Sequence, residues 1–259
     1  MRPIVFCTDY GLGDEFVGIC HAVMDRIAPG VRVIDLTHGV ARQDVVRGAI
    51  TLGRAVPFLP PEAVVVAVVD PGVGSARRAI AVRAGGMLLV GPDNGVLSHA
   101  WEALGGASHA REITSPDVVL EPLSATFHGR DVFAPAGAHL AAGFAFEQLG
   151  PEVEVDALAR IDLPRPLVAR GAIEAHVTAI DGFGNVQLDV EPRHLEEAGL
   201  GPSVQVNGRT LPVVATFSEL PQGALGAIVD SQGFVALVAN RASAAEALGV
   251  ERGAAVNLA

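Results

Sequence analysis

Ala63-Val64-Val65-Val66-Ala67-Val68-Val69-Asp70-Pro71-Gly72-Val73-Gly74 is the stretch on which the fold turns. Seven apolar residues, mostly β-branched, run without a polar interruption. Such a run fits a strand buried on both faces, as in a parallel sheet covered by helices. It then passes directly into an acidic, glycine-containing loop. In open α/β sheets ligands collect at the carboxyl ends of strands, so Asp70 stands where a ligand is expected.

Upstream, the same texture repeats. Pro3 to Thr8 reads as a strand ending at Asp9, and Phe16, Cys20, Val23, Met24 and Ile27 then recur at helical spacing until Pro29-Gly30 stops them. Val31 to Leu36 is a second strand, followed by a helix around Val45 to Ala55. Downstream, Arg160-Ile161-Asp162-Leu163-Pro164-Arg165-Pro166 has the composition of a linker. Beyond it, short strands are expected at 171–180, 185–190, 210–215, 226–229 and 234–240, separated by turn residues. The expected organisation is an α/β domain with a mostly parallel central sheet over residues 1–157, a linker over 158–169, and a smaller β-rich domain over 170–259.

Composition removes several function classes. The 259 residues are 50% hydrophobic, enough for a substantial core, and carry 29 acidic against 18 basic side chains for a net charge of −11. Tracking phosphates needs the opposite balance, so no nucleic-acid partner is expected. No uncharged run reaches the roughly 18 residues of a membrane span, so no membrane partner is expected and the expected location is cytoplasmic. Cys7 and Cys20 lie in apolar stretches without metal-ligand spacing and read as buried, reduced thiols.

Four groups of residues could carry chemistry. In the turn after the first strand, Gly11-Leu12-Gly13 is superficially like a dinucleotide fingerprint. However, Phe16 takes the third glycine position, and Asp9, Asp14 and Glu15 would repel a pyrophosphate. A carboxylate there suits ribose hydroxyls or an ammonium group; Asp14 fits a helix cap equally well. In the loop after Val69, Asp70 can meet Arg77, where the plain alternative is a surface salt bridge worth roughly 0–1 kcal/mol. Next comes Phe127-His128-Gly129-Arg130-Asp131, in which Gly129 leaves His128 approachable, whereas His21, His38, His99, His109 and His139 read as structural. Last, Asp181-Gly182-Phe183-Gly184-Asn185 and Asp230-Ser231-Gln232-Gly233-Phe234 each join polar groups to an aromatic within a turn, as ordinary β-turns also do.

Taken in order, these motifs resemble the S-adenosylmethionine hydroxide adenosyltransferases, relatives of the fluorinase and chlorinase enzymes. The resemblance also takes in Asp35-Leu36-Thr37-His38 and Pro92-Asp93-Asn94-Gly95, so it runs over nearly the whole chain. It implies a C-terminal domain of β-barrel-like form and a homotrimer with the site at the subunit interface, between one N-terminal domain and the next subunit's C-terminal domain. Activity would be cleavage of S-adenosylmethionine to adenosine and methionine, with no cofactor and no metal. The resemblance places Asp70, Arg77 and His128 as the water-handling set and Asp9 on the ribose diol. It places Asp14 and Asp181 near the methionine ammonium, Phe183 and Asn185 around adenine, and Ser231 on the methionine carboxylate. Phe127 is grouped with the substrate-binding residues.

Halide-using relatives have a Tyr in place of Asp70, and the fluorinase carries an inserted loop where Ala84-Gly85-Gly86 here passes straight to the next strand. Both differences imply hydroxide as the nucleophile. Two departures stand out: Gln232 replaces an Arg that contacts carboxylate in the fluorinase, and Gln43 replaces a Trp of the halogenase site. Arg77 is chosen over the adjacent Arg78 by alignment alone. The competing readings are a metal-dependent hydrolase with Asp9, Asp70 and His128 as ligands, a non-catalytic sensor of an adenosyl ligand, and a halogenating transferase.

Overall fold

The computed structural model describes residues 1–259. It divides into two units, Met1–Ile161 and Asp162–Ala259. In the first, the chain lays down β1 (Ile4–Thr8), α1 (Phe16–Ile27), β2 (Val33–Thr37), α2 (Val45–Ala55) and β3 (Val64–Val68). β4 (Ala79–Ala84), β5 (Met87–Pro92), α3 (Ser98–Ala103), β6 (Ala107–Glu112), α4 (Ala134–Ala141) and β7 (Glu152–Val153) follow. One seven-stranded sheet results, in the order β2-β1-β3-β5-β4-β6-β7. The pairs β2–β1, β1–β3 and β3–β5 are parallel and the rest antiparallel, so five of the seven strands run the same way.

β3 sits at the centre, and its composition explains why. Val64, Val66 and Val68 join a core with Phe6, Met24 and Phe133 on the α1 and α4 side. Ala63, Val65, Ala67 and Val69 join the opposite core with Leu52 and Trp101 on the α2 and α3 side. An all-apolar run has no polar face to turn outward, so both faces are covered. Each buried valine contributes on the order of 1.5–3 kcal/mol. The helices come close where they lack side chains: Gly137 of α4 abuts Val66, and Gly48 of α2 rests on Val69.

α1 buries Val17, Cys20, Val23 and Met24, while Phe16 stays partly exposed at its first turn. β4 and β5 form a hairpin across Ala84–Met87 that needs Gly85 at φ 54°. Residues 159–161 belong to the first unit: Ala159 N–H donates to Asp93 (2.8 Å), and Ile161 N–H to the Ser98 hydroxyl (3.3 Å). The proline-containing piece 162–166 has no regular structure.

The second unit contains β8 (Leu167–Ala169), β9 (Ala172–Ile180), β10 (Val186–Leu188), α5 (Pro192–Ala198), β11 (Ser203–Val206) and β12 (Arg209–Pro212). β13 (Leu225–Val229), β14 (Val235–Ala239), α6 (Ala244–Leu248) and β15 (Ala255–Leu258) complete it. Its main sheet is antiparallel, ordered β13-β14-β10-β9-β15 with β8 also on β9. β9 alternates, burying Ile173, Ala175, Val177 and Ala179. The five strands expected from turn spacing each overlap one of these; β8, β11 and β15 were not expected. No closed barrel is formed by the main sheet, but the β11–β12 hairpin touches both of its ends. Gln205 and Ala259 exchange backbone hydrogen bonds, and Val214 N–H donates to Ala227 O (2.9 Å). No helix of either unit is long and apolar enough to cross a membrane.

Candidate active site

Parallel pairing of β1 with β3 sets Thr8 opposite Val68, so Asp9 and Asp70 leave the sheet at the same edge. Asp9 Oδ2 accepts a 2.7 Å hydrogen bond from the backbone N–H of Gln43. Residue 43 adopts φ 63°, an uncommon backbone for a non-glycine residue. Its main chain, rather than its side chain, therefore fixes the Asp9 carboxylate.

The loop after β3 folds back tightly, with Val73 N–H on Asp70 O (3.3 Å) and Ser75 N–H on Gly72 O (3.0 Å). Gly74, at φ 77°, lies so close to Ala125 O that a Cβ could not be accommodated. This fold brings Arg77 onto Asp70. Arg77 Nε is 3.0 Å from both carboxylate oxygens, and Nη2 donates to Oδ2 at 2.5 Å. The side chains are only 5% (Asp70) and 10% (Arg77) exposed. The guanidinium lies 5.1 Å from the ring centroid of Phe133. The same Nη2 is 2.7 Å from His128 Nδ1. Arg78 diverges to Asp93 (Nε to Oδ2, 2.8 Å) and to Ala157 O, so Arg77 alone joins Asp70 to His128.

These contacts decide the protonation of His128. A guanidinium has only donors, so Nδ1 must accept and the ring proton sits on Nε2. Burial, and then the charge of Arg77, pull the His128 pKa below its ordinary 6.5. The ring is therefore neutral at pH 7, with Nε2–H left as a donor. Protonation at lower pH would place a second N–H against the guanidinium and break the 2.7 Å contact. The expected result is that kcat/KM is flat near neutrality and falls on an acid limb below pH 6.5. The limb should be absent in His128→Gln, as measured by pH-rate profiles of both proteins.

His128 leads into a single π-helical turn at Gly129–Phe133. Gly129 has no side chain where the Tyr10 hydroxyl packs. Tyr10, Phe16 and Phe127 form an edge-to-face trio with centroids 5.2–6.0 Å apart. Burial raises the Tyr10 pKa well above its ordinary value, so the phenol stays neutral. Asp131 is buried and takes hydrogen bonds from Arg130 Nε (2.6 Å), Arg130 Nη2 (2.9 Å) and Ser124 N–H (2.9 Å). It organises the 124–131 loop.

Asp14 does not cap α1; the cap position is Glu15, without a side-chain cap bond. In the second unit, Asp181 Oδ1 accepts from the N–H groups of Phe183 and Asn185, both at 2.9 Å, and Oδ2 from the Asn185 amide (2.8 Å). Its carboxylate thus builds the turn that presents Phe183, whose ring is 82% exposed. Asp230 does the same for its turn, accepting from Gln232 N–H (2.8 Å) and Phe234 N–H (3.1 Å) around exposed Ser231.

Sequence reasoning missed Phe133 and the Gln43 backbone. Neither leaves a signal in the chain, since a ring under a guanidinium and a left-handed residue are products of tertiary packing. The metal-hydrolase arrangement meets a cation already in place: Arg77 occupies the space between Asp70 and His128 that a metal would need.

A mostly parallel sheet with a carboxylate, a guanidinium and an imidazole joined at its strand ends defines a two-unit α/β enzyme. Family models described as the SAM hydroxide adenosyltransferase N-terminal and C-terminal domains match residues 4–150 and 175–257. The (R)-S-adenosyl-L-methionine hydrolase of Salinispora arenicola (strain CNS-205) is 52% identical over 252 residues, covering 96% of this chain and 95% of that protein. The fluorinase of Nocardia brasiliensis is 30% identical over 292 residues, covering 99% and 97%. The crystal structure of an uncharacterized conserved protein from Thermotoga maritima superposes with a TM-score of 0.90 at 32% identity, covering 98% and 99%. The chain belongs to the SAM hydroxide adenosyltransferase family.

Proposed function

We propose that this chain hydrolyses S-adenosyl-L-methionine to adenosine and L-methionine by attack of a water-derived hydroxide on ribose C5′. The observation that carries the reading is the continuous Asp70–Arg77–His128 contact at the strand ends. The sulfonium leaves as a neutral thioether, so the leaving group needs no stabilisation. The difficulty lies in the nucleophile, because bulk water has a pKa of about 15.7. Arg77 supplies fixed positive charge where an anion forms. Asp70, which keeps unshared lone pairs beside Arg77, accepts the proton of a water set against it, and His128 fixes the guanidinium through Nδ1. Exclusion of bulk water strengthens the attraction between hydroxide and sulfonium. This chemistry needs no cofactor or metal.

In the same proposal Asp9 grips the ribose diol through Oδ1, since Oδ2 is held by Gln43. Asp14 and Asp181 lie near the methionine ammonium, Ser231 meets the carboxylate, and Phe127, Phe183 and Asn185 bind around the adenosyl group. The assembly is a homotrimer with the site at the subunit interface. The exposed Phe183 ring supports this, because it lacks a surface of its own to cover it. The β11–β12 hairpin bridging β15 and β13 supports a barrel-like second unit. Two buried cysteines, with thiol pKa values pushed up to about 12 chiefly by burial, suit a reducing, cytoplasmic location.

Purified protein is incubated with S-adenosyl-L-methionine, with and without chloride and with a chelator, and the products are separated by chromatography. Adenosine and methionine in equal amounts under every condition is the expected outcome. A chlorinated nucleoside, or ligand bound but unchanged, would overturn it.

A further inference from the structure

One group of titratable side chains lies outside this chemistry. His21 on α1, Asp35 in β2 and His38 just after β2 converge: His21 Nε2 is 2.8 Å and His38 Nε2 3.0 Å from the same oxygen, Asp35 Oδ1. All three ligand atoms lie within 4.8 Å of one another. We propose that His21, Asp35 and His38 form a binding site for a divalent transition-metal ion of the Zn²⁺ or Co²⁺ type.

The rings are pre-positioned. Phe6, fully buried in β1, contacts both imidazoles, with centroids 6.0 Å from His21 and 4.9 Å from His38. His38 is buried, and its Nδ1 is 2.8 Å from Thr8 Oγ1. His21 and Asp35 are 34% and 44% exposed, so one side of the cluster faces solvent and leaves coordination positions for water. Two imidazoles and one carboxylate form a donor set suited to borderline divalent ions. Tetrahedral bonds of about 2.0–2.2 Å put ligand atoms about 3.4 Å apart, so binding opens the 2.8 and 3.0 Å His–Asp spacings by roughly half an ångström.

Proton placement is consistent with this. A neutral imidazole that binds metal through Nε2 carries its proton on Nδ1, and His38 would then donate to Thr8 Oγ1, which lies 2.8 Å away. None of the three residues belongs to the Asp70–Arg77–His128 set, and the ion takes no part in cleavage.

Chelator-treated, dialysed protein is titrated with Zn²⁺ by calorimetry and with Co²⁺ by visible absorption, in the absence of substrate. One equivalent should bind with micromolar or tighter affinity. His21→Ala, a change at a half-buried position, should weaken Zn²⁺ binding by more than the about 10–100-fold typical of losing an outer-sphere partner. It should also abolish the Co²⁺ band while leaving adenosine formation in chelator unchanged. Zn²⁺ binding that is identical in wild type, His21→Ala and Asp35→Asn would overturn the proposal, as would no binding below millimolar Zn²⁺.

Discussion

Asp70→Asn lowers kcat for S-adenosyl-L-methionine cleavage by about 10²–10⁴-fold, the range a positioned proton acceptor supplies, with substrate affinity held within a few-fold. Asparagine has the shape of aspartate but only one accepting atom. Arg77 directs Nε at both Asp70 oxygens and Nη2 at one of them. Whichever way the amide turns, a donor meets a donor or a bond is lost. The proton acceptor and the setting of the guanidinium are therefore damaged together. His128→Ala, which removes the Nδ1 acceptor that fixes Arg77 Nη2, should act on the same step. The double variant should be little worse than the poorer single one, since residues acting as a unit are not additive. Steady-state kinetics give kcat, and calorimetry on the slow variants gives affinity. Wild-type turnover in Asp70→Asn, or a loss confined to binding, would remove Asp70 from the chemistry.

What could be read in the chain follows from where the information resides. The run 63–69 has no polar residue to face water, so its central, doubly covered position follows from composition alone. α1 was legible from its apolar spacing, although Phe16 turned out to join Tyr10 and Phe127 instead of the core. The strands β6 and β7 gave no such signal. β6 is half-polar and β7 only two residues long, while the antiparallel pairing of the largely apolar β4 and β5 depends on a hairpin at Gly85-Gly86 that periodicity does not encode. Asp70 was legible because it ends a strand. Its partner Arg77 was named over Arg78 only by alignment, because the two are adjacent in sequence and separate only through the loop that sends one to His128 and the other to Asp93. The π turn after His128 depends on packing, with Tyr10 over Gly129. His21 and Asp35 lie on different elements, 14 residues apart, and only the packing of α1 on the sheet makes them neighbours.

Arg77→Met is expected to destabilise the protein by about 3–5 kcal/mol, the usual consequence of stranding one member of a buried ion pair. The Asp70 side chain is 5% exposed and receives three donor contacts from Arg77, so removing the guanidinium leaves a desolvated carboxylate. Loss of the cation over Phe133 adds to the effect. For a chain of this size each kcal/mol moves the midpoint by about 2–4 °C, so Tm should fall by about 6–20 °C. Asp70→Leu combined with Arg77→Met should recover most of that loss, because apolar replacement of both partners is often neutral or stabilising by about 1–4 kcal/mol. The same double variant should form no adenosine. Stability and activity then part company: the pair is dispensable to the fold once both charges are gone, but not to the reaction. Thermal unfolding and product chromatography on the wild type and the two variants decide the matter. An Arg77→Met protein as stable as wild type would mean that Asp70 finds solvent or another donor. An active double variant would mean that hydroxide is generated somewhere else.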